Sequence, residues 1–212
     1  MKKSQIIPLV LCGFLALVIG VMVAKTQQSS PSSNSGSGTL ELVSGTALNP
    51  GKPIQAFDLL DHHGEKFDLG RLTGKWTLLF FGFTNCPDIC PVTMQFLKSV
   101  KKNLVEKNAW ENMQVGFFTV DPARDTVKQL SNYVPHFDPE FIGITGSLEG
   151  VEKFAKQMSM PFQLEEKNER GHYNVAHSAS ILLISPDAEL RGILSTPHQL
   201  QPIVTDLASI AQ

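Results

Sequence analysis

Three features of the sequence predict an α/β sandwich preceded by a single transmembrane helix. Two near-continuous apolar runs of strand length, residues 76–83 (WTLLFFGF) and 113–120 (MQVGFFTV), read as strands covered on both faces in a mainly parallel sheet. Segments of helical spacing alternate with them, as a layered α/β architecture requires. At the N-terminus, residues 6–24 form nineteen positions without a charge, bracketed by Lys2 and Lys3 before and Lys25 after.

That run is long for a signal-peptide core and suits a helix crossing a hydrocarbon layer of roughly 30 Å. Pro8 lies near its start, where it does least harm to a helix. The small Ala24 leaves a cleaved signal as the alternative, which the run length disfavours. Lys2 and Lys3 outweigh Lys25, so the N-terminus is expected in the cytoplasm and the rest of the chain outside it. Residues 1–5 are then a cytoplasmic stub and 6–24 an anchor. Residues 25–39, rich in Ser, Gly and Gln, read as a flexible tether, with no large apolar side chain to pack. Residues 40–212 suffice for one well-buried domain. Without the three N-terminal lysines the chain carries 15 basic and 20 acidic residues, net −5. With no basic patch among aromatics, nucleic acid is not an expected partner.

In chain order, residues 54–59 and 66–69 flank the turn Asp61-His62-His63-Gly64 and predict a small leading β-hairpin. The first buried strand, 76–83, is followed by a helix over 92–107, with Pro91 in its first turn. After the second buried strand, Asp125 or Thr126 can cap a helix that ends before Pro135. Ser147 opens another, with Val151, Phe154, Ala155 and Met158 at core spacing. Residues 179–184 form a strand, Pro186-Asp187-Ala188 turns it into 190–194, and a last amphipathic helix covers about 198–210. Strands alternating with helices and closing on a hairpin and helix describe a thioredoxin-like sandwich.

The chemistry concentrates in FGFTNCPDICP, residues 81–91, at a strand-to-helix junction. Cys86 and Cys90 are the thiols of the exported part; Cys12, following Leu9, Val10 and Leu11, reads as a small hydrophobe in the membrane segment rather than a lipidation site. Placed on one helical turn, the pair would lie about 6 Å apart, near enough for a disulfide or for joint ligation of one ion. The helix N-terminus is expected to favour the thiolate. With no further cysteine, a four-ligand structural zinc site is disfavoured. Cu(I) accepts two thiolates alone, whereas Cu(II) prefers three or four donors including imidazole.

Six histidines compete for that role. His62 and His63 read as solvated in a polar turn, His136 as a loop residue, and His198 as a residue near a helix cap. His172 and His177 flank the start of the 179–184 strand, which in this topology faces the cysteine turn, and position alone leaves both as candidates. Several neighbours have bland explanations. Asp88 suits the first turn of a helix. Asp121 can line the site or simply precede Pro122, Arg124 and Asp125 can pair with each other, and Met94 and Met158 fall at core spacing, although they and Met160 could attract Cu(I).

Four ordered motifs, at residues 81–91, 119–126 (TVDPARDT), 133–146 (YVPHFDPEFIGITG) and 177–190 (HSASILLISPDAEL), resemble the Sco/SenC family of membrane-anchored copper chaperones for cytochrome c oxidase assembly. The resemblance spans about residues 53–211. It implies copper, as Cu(I) and Cu(II), held by Cys86, Cys90 and His177, and delivery to the dinuclear copper centre of cytochrome c oxidase subunit II. It further implies a copper donor protein, and a monomer at the bacterial inner membrane with its soluble domain on the periplasmic or outer side. Such a protein is a metallochaperone rather than an enzyme. Asn85 replaces a common histidine of relatives, and Ala176 an aspartate that could orient the imidazole. The alternative is a thiol–disulfide oxidoreductase that reduces the acceptor's cysteines. Three residues between the cysteines, where thioredoxin-type reductases have two, favour metal. So does the lack of proline from 162 to 185. A peroxidase of peroxiredoxin type lacks its threonine- and arginine-bearing pattern here.

Deletion of residues 1–38 is expected to leave a soluble, folded, metal-binding monomer, because the tether supplies neither core nor ligand. Gel filtration and copper titration of the truncated protein test this; an insoluble or metal-blind product would place the domain boundary elsewhere.

Overall fold

Residues 39–211 are described by a computed structural model. The stub, the anchor with Cys12, and all of the tether but Thr39 lie outside the described residues. Among the described residues no helix is long and apolar enough to cross a membrane.

The sheet is organised around three parallel strands: β4 (Trp76–Gly82), β5 (Met113–Thr119) and β6 (Ile142–Thr145). The strands that precede them are β1 (Thr46–Pro53), β2 (Asp58–Asp61) and β3 (Lys66–Asp68). Later come the short pair β7 (Gln163–Leu164) and β8 (Val175–Ala176), then β9 (Ile181–Ile184) and β10 (Glu189–Leu194). Eight strands form one mixed sheet in the order β1-β10-β9-β4-β5-β6-β2-β3, and β7 with β8 makes a separate two-stranded ribbon. The helices are α1 (Ile89–Glu106), α2 (Val127–Phe137), α3 (Leu148–Gln157) and α4 (Leu200–Ile210).

Strand alternation divides the core. Phe80 and Phe117 point to one face, where Tyr133 of α2 packs on Phe117 with ring centres 5.4 Å apart. Phe81 and Phe118 point to the other, 4.6 Å apart, with Phe154 of α3 stacked 5.0 Å from Phe118. All these phenylalanines are essentially inaccessible to solvent, and each contributes about 1.5–3 kcal/mol through its burial. Helix α1 packs against both α2 and α4.

The leading hairpin is present as β2–β3, but it pairs with β6 at one edge of the sheet. A further strand, β1, closes the opposite edge against β10. Its sequence, TALNPGKP, carries two prolines and a glycine and shows no alternation, which is why it escapes pattern reading. Helix α2 does not stop before Pro135; it runs on to Phe137. Pro135 falls in the last turn, where buried Val134 and Phe137 hold the segment against the core despite the missing N–H. Thr126 rather than Asp125 is the N-cap, its side chain accepting from the Gln129 N–H. Helix α4 begins two residues later than its sequence pattern, at Leu200.

His62 is also not solvated. It is 4% exposed, and its Nδ1 accepts the Gly143 N–H at 3.0 Å, joining the β2–β3 turn to β6. Burial first, then the neighbouring His63, hold its pKa below 6.5. The unfolded chain therefore takes up the proton before the folded one does. The stability this provides is present above the unfolded value and is lost as pH falls through 6.5 towards the folded value. Urea denaturation is expected to show a midpoint that drops from about pH 7 to about pH 5. The drop should be smaller in His62→Asn, whose side-chain oxygen can replace Nδ1 as acceptor. Equal pH dependence in both proteins would refute this assignment.

Candidate metal and thiol site

The site forms where β4 and β5 stop together. The two strands pair in register from Trp76 with Met113 to Gly82 with Thr119, and the Val120 N–H then donates to the Gly82 carbonyl at 2.9 Å. The loop 83–88 and the turn 120–125 consequently leave the sheet side by side. Strand β9 runs antiparallel to β4, with Phe80 opposite Ile181, so residues 177–180 arrive at the same end.

Asp125 joins loop and turn. It is fully buried, and its carboxylate accepts from the Thr84 N–H at 2.9 Å, the Thr84 hydroxyl at 2.6 Å and the Thr119 hydroxyl at 2.7 Å. Burial pushes its pKa up, against these hydrogen bonds. The expected pairing of Arg124 with Asp125 is not formed. Arg124 instead pairs through Nε with Asp121, which is 1% exposed, and its Nη1 donates to the Tyr173 carbonyl at 3.0 Å. The guanidinium lies 3.6 Å above the Tyr173 ring, and the Tyr173 hydroxyl donates to Asp121 at 2.8 Å. Asp121 is thus more than a turn residue: it ties β5 to the strand-poor segment that leads to β8.

The cysteines do not share a helical turn. Helix α1 begins at Ile89, so Cys90 is its second residue, whereas Cys86 sits in the preceding turn with its N–H donating to the Phe83 carbonyl at 3.2 Å. Asp88 is the N-cap residue rather than a first-turn acid, and its side chain makes no capping bond. Cys86 is half-buried, Cys90 is fully buried, and both are free thiols. The expected thiolate stabilisation by the helix end does not prevail at Cys90. Burial, then the neighbouring Cys86 side chain, drive its pKa far above the usual thiol range, so it is protonated at neutral pH. Gly82 makes room for it: a Cβ there would stand 2.8 Å from Phe117 Cε2 and 3.2 Å from Cys90 Sγ.

Opposite the pair, His177 follows β8 directly. Its ring packs edge-on to Phe83, with centres 5.8 Å apart. His177 Nδ1 lies 2.8 Å from the Ser178 carbonyl, which can only accept, so Nδ1 carries the proton. Nε2 then offers its lone pair, and it stands 3.9 Å from Cys90 Sγ. Burial lowers the His177 pKa, keeping the ring neutral at pH 7. The orienting partner that Ala176 cannot provide is thus supplied by a backbone carbonyl.

The other histidines are engaged elsewhere. His172 is exposed on the 165–174 loop, its N–H donating to Asn168 Oδ1 at 3.0 Å. His136 packs on Phe137 within α2 rather than in a loop. His198 stacks on Phe96, with Nε2 3.1 Å from the Ala179 carbonyl. Met94, Met158 and Met160 are buried in the core. Cys90 thus meets His177 on one side and has Cys86 beside it on the other. Among the described residues, however, no three His, Cys, Asp or Glu side chains are already drawn into an ion-holding cluster. Sequence reasoning passed over Tyr173, Thr84 and Thr119. Thr119 stands inside a recognised motif, but Tyr173 lies in a polar stretch with no pattern to mark it.

A mixed sheet with a thiol pair at the end of a central strand and an imidazole facing it defines a thioredoxin-like domain of the Sco type. The SCO1/SenC family model matches residues 46–212, and the chain belongs to that family. A Stutzerimonas stutzeri protein described as copper-binding is 36% identical over 159 residues, covering 75% of this chain and 77% of that one. The mitochondrial SCO2 homologue of Bos taurus is 40% identical over 131 residues, covering 62% of this chain but only 49% of its own length. The chain thus spans about half of the mitochondrial relatives. The apo Sco1 protein of Thermus thermophilus superposes with a TM-score of 0.71 at 34% identity, covering 82% of this chain and 99% of that one. Arabidopsis thaliana ScoI with copper bound gives 0.68 at 32% identity, covering 73% and 95%. BsSco, described through a disulfide switch and as a member of the Sco family of cytochrome c oxidase assembly proteins, gives 0.61 at 27% identity, covering 76% and 94%.

Gly82→Ala is expected to destabilise the domain by about 1–3 kcal/mol through overpacking against Phe117. It should also change the reactivity of Cys90. Urea unfolding and thiol alkylation check both, and a variant with wild-type stability would show that Phe117 and Cys90 can yield.

Proposed function

We propose that the protein is a copper-binding assembly factor that holds copper at Cys86, Cys90 and His177 and passes it by ligand exchange to the dinuclear copper centre of cytochrome c oxidase subunit II. The observation that carries this reading is the approach of His177 Nε2 to Cys90 Sγ at 3.9 Å, with Nδ1 tied back to the Ser178 carbonyl. An imidazole so oriented presents a lone pair to an ion that the thiolates bind. The two sulfurs suit soft Cu(I), and the added imidazole suits Cu(II), so one site can hold both states.

Relatives named for copper binding, and a family neighbour named for cytochrome c oxidase assembly, support the cargo and the destination. Ligation requires both thiols to lose their protons, so copper uptake releases protons into solution. Half-buried Cys86 is the sulfur that a partner reaches first, and its movement closes the site around the ion. In this reading residues 6–24 anchor the domain at the outer face of a bacterial inner membrane, residues 25–39 give it reach, and a copper donor protein loads it as a monomer.

A second reading has one observation in its favour: both thiols are free and adjacent, and BsSco is described through a disulfide switch. In thiol–disulfide exchange, Cys86 and Cys90 would lose two protons and two electrons to form a disulfide. The acceptor's disulfide would gain them as two thiols.

Copper titration of the reduced protein separates these readings. The wild type is expected to bind one copper, Cys86→Ser and Cys90→Ser to bind neither state tightly, and the oxidised protein to bind little. His177→Ala is expected to lose Cu(II) affinity by roughly tenfold or more while Cu(I) binding is nearly kept, because Cu(I) needs only the two sulfurs. The thiolate-to-Cu(II) absorption band and electron spin resonance report the change. An unchanged Cu(II) spectrum would exclude His177. A variant that keeps copper but loses activity towards protein disulfides would favour the reductase.

A further inference from the structure

The turn between β5 and α2 touches both halves of the site without contributing a ligand. On one side Asp125 binds Thr84, two residues before Cys86, through the Thr84 N–H at 2.9 Å and hydroxyl at 2.6 Å. On the other side Asp121 accepts from the Tyr173 hydroxyl at 2.8 Å, and Arg124 holds the Tyr173 carbonyl at 3.0 Å. Tyr173 is four residues before His177, and Val175 between them is buried in the core, 3% exposed. Arg124 also lies 5.7 Å from the centre of the Phe83 ring, the ring on which His177 packs. Both carboxylates are out of solvent, so these bonds are shielded from competing water.

We propose that this turn sets the spacing between the thiol pair and the imidazole, with Asp125 the positioning residue for the cysteine loop and Asp121, acting through Tyr173, the positioning residue for His177. The copper arm of the inference rests on the ligand set proposed above. The division of labour follows from the chemistry. The cysteines serve both oxidation states of copper, whereas the imidazole matters to Cu(II). Loosening the histidine side is therefore selective, and loosening the cysteine side is not.

Tyr173→Phe removes the hydroxyl but keeps the ring beneath Arg124. A hydrogen bond to a charged acceptor is lost, so Cu(II) affinity is expected to fall roughly tenfold, with Cu(I) affinity held within about threefold. Asp125→Asn is expected to weaken both states by a similar factor. Should that variant fail to fold, Thr84→Val, which deletes only the hydroxyl contact, carries the same expectation at smaller size. Equal losses of Cu(I) and Cu(II) in Tyr173→Phe, or none in either, would overturn the assignment of Asp121. Wild-type copper binding in both Asp125→Asn and Thr84→Val would overturn that of Asp125.

The metal-free protein provides a test that does not depend on copper. The imidazole nitrogen resonances of His177 are expected to move towards those of a solvated histidine in Tyr173→Phe. Unchanged resonances would overturn the clasp. A wild-type protein that takes up no copper, but whose His177 resonances respond to Tyr173→Phe, would refute the copper reading and leave the clasp in place.

Discussion

The in-register pairing of β4 with β5 is the constraint on which the rest of this molecule depends, because it ends both strands at one level and lets the Val120 N–H close on the Gly82 carbonyl. A shift of β5 by one residue would turn Phe117 to the face that now holds Phe118, against a different helix layer. It would also move Thr84 away from Asp125. The functional loops are short and therefore inherit their placement from the sheet. Antiparallel addition of β9 to the same strand then delivers His177 to that end without any long connection.

Charge is managed differently for ligands and for supports. Cys90 stays protonated and His177 neutral, both because burial disfavours their charged forms. The buried carboxylates Asp121 and Asp125 are each surrounded by donors, since a buried carboxylate without partners would cost several kcal/mol. The site is thus a set of uncharged side chains beside carboxylates that are held by hydrogen bonds.

Membership of the SCO1/SenC family agrees with the overall fold, which superposes on solved Sco structures. Where an aspartate could orient the imidazole, Ala176 leaves that work to the Ser178 carbonyl. The two cysteines are also unequal: Cys86 is half-buried at a turn, and Cys90 is fully buried beside Gly82.

The α/β class, the two central strands, most helix positions and the cysteine pair at a strand-to-helix junction were legible in the sequence, because apolar period, proline and cysteine spacing are local signals. Position along the chain left His172 and His177 both as candidates, and only the family resemblance singled out His177. What the sequence left undecided depends on partners distant in the chain. Strand β1 has no alternation and exists only because β10 offers it an edge. Helix α2 passes through Pro135 because core contacts at Val134 and Phe137 outweigh one lost hydrogen bond. His62 reads as a turn residue, yet β6 buries it and occupies its Nδ1. Arg124 bonds Asp121 and Tyr173 instead of its neighbour Asp125, whose carboxylate is occupied by the hydroxyls of Thr84 and Thr119. Thiol ionisation follows the same rule: local sequence supplies a helix end that favours the thiolate, and tertiary burial reverses it at Cys90. Side-chain identity determined which groups could act, and only the packed structure decided which of them meet and in what charge state, since desolvation and long-range hydrogen bonds arise from the fold.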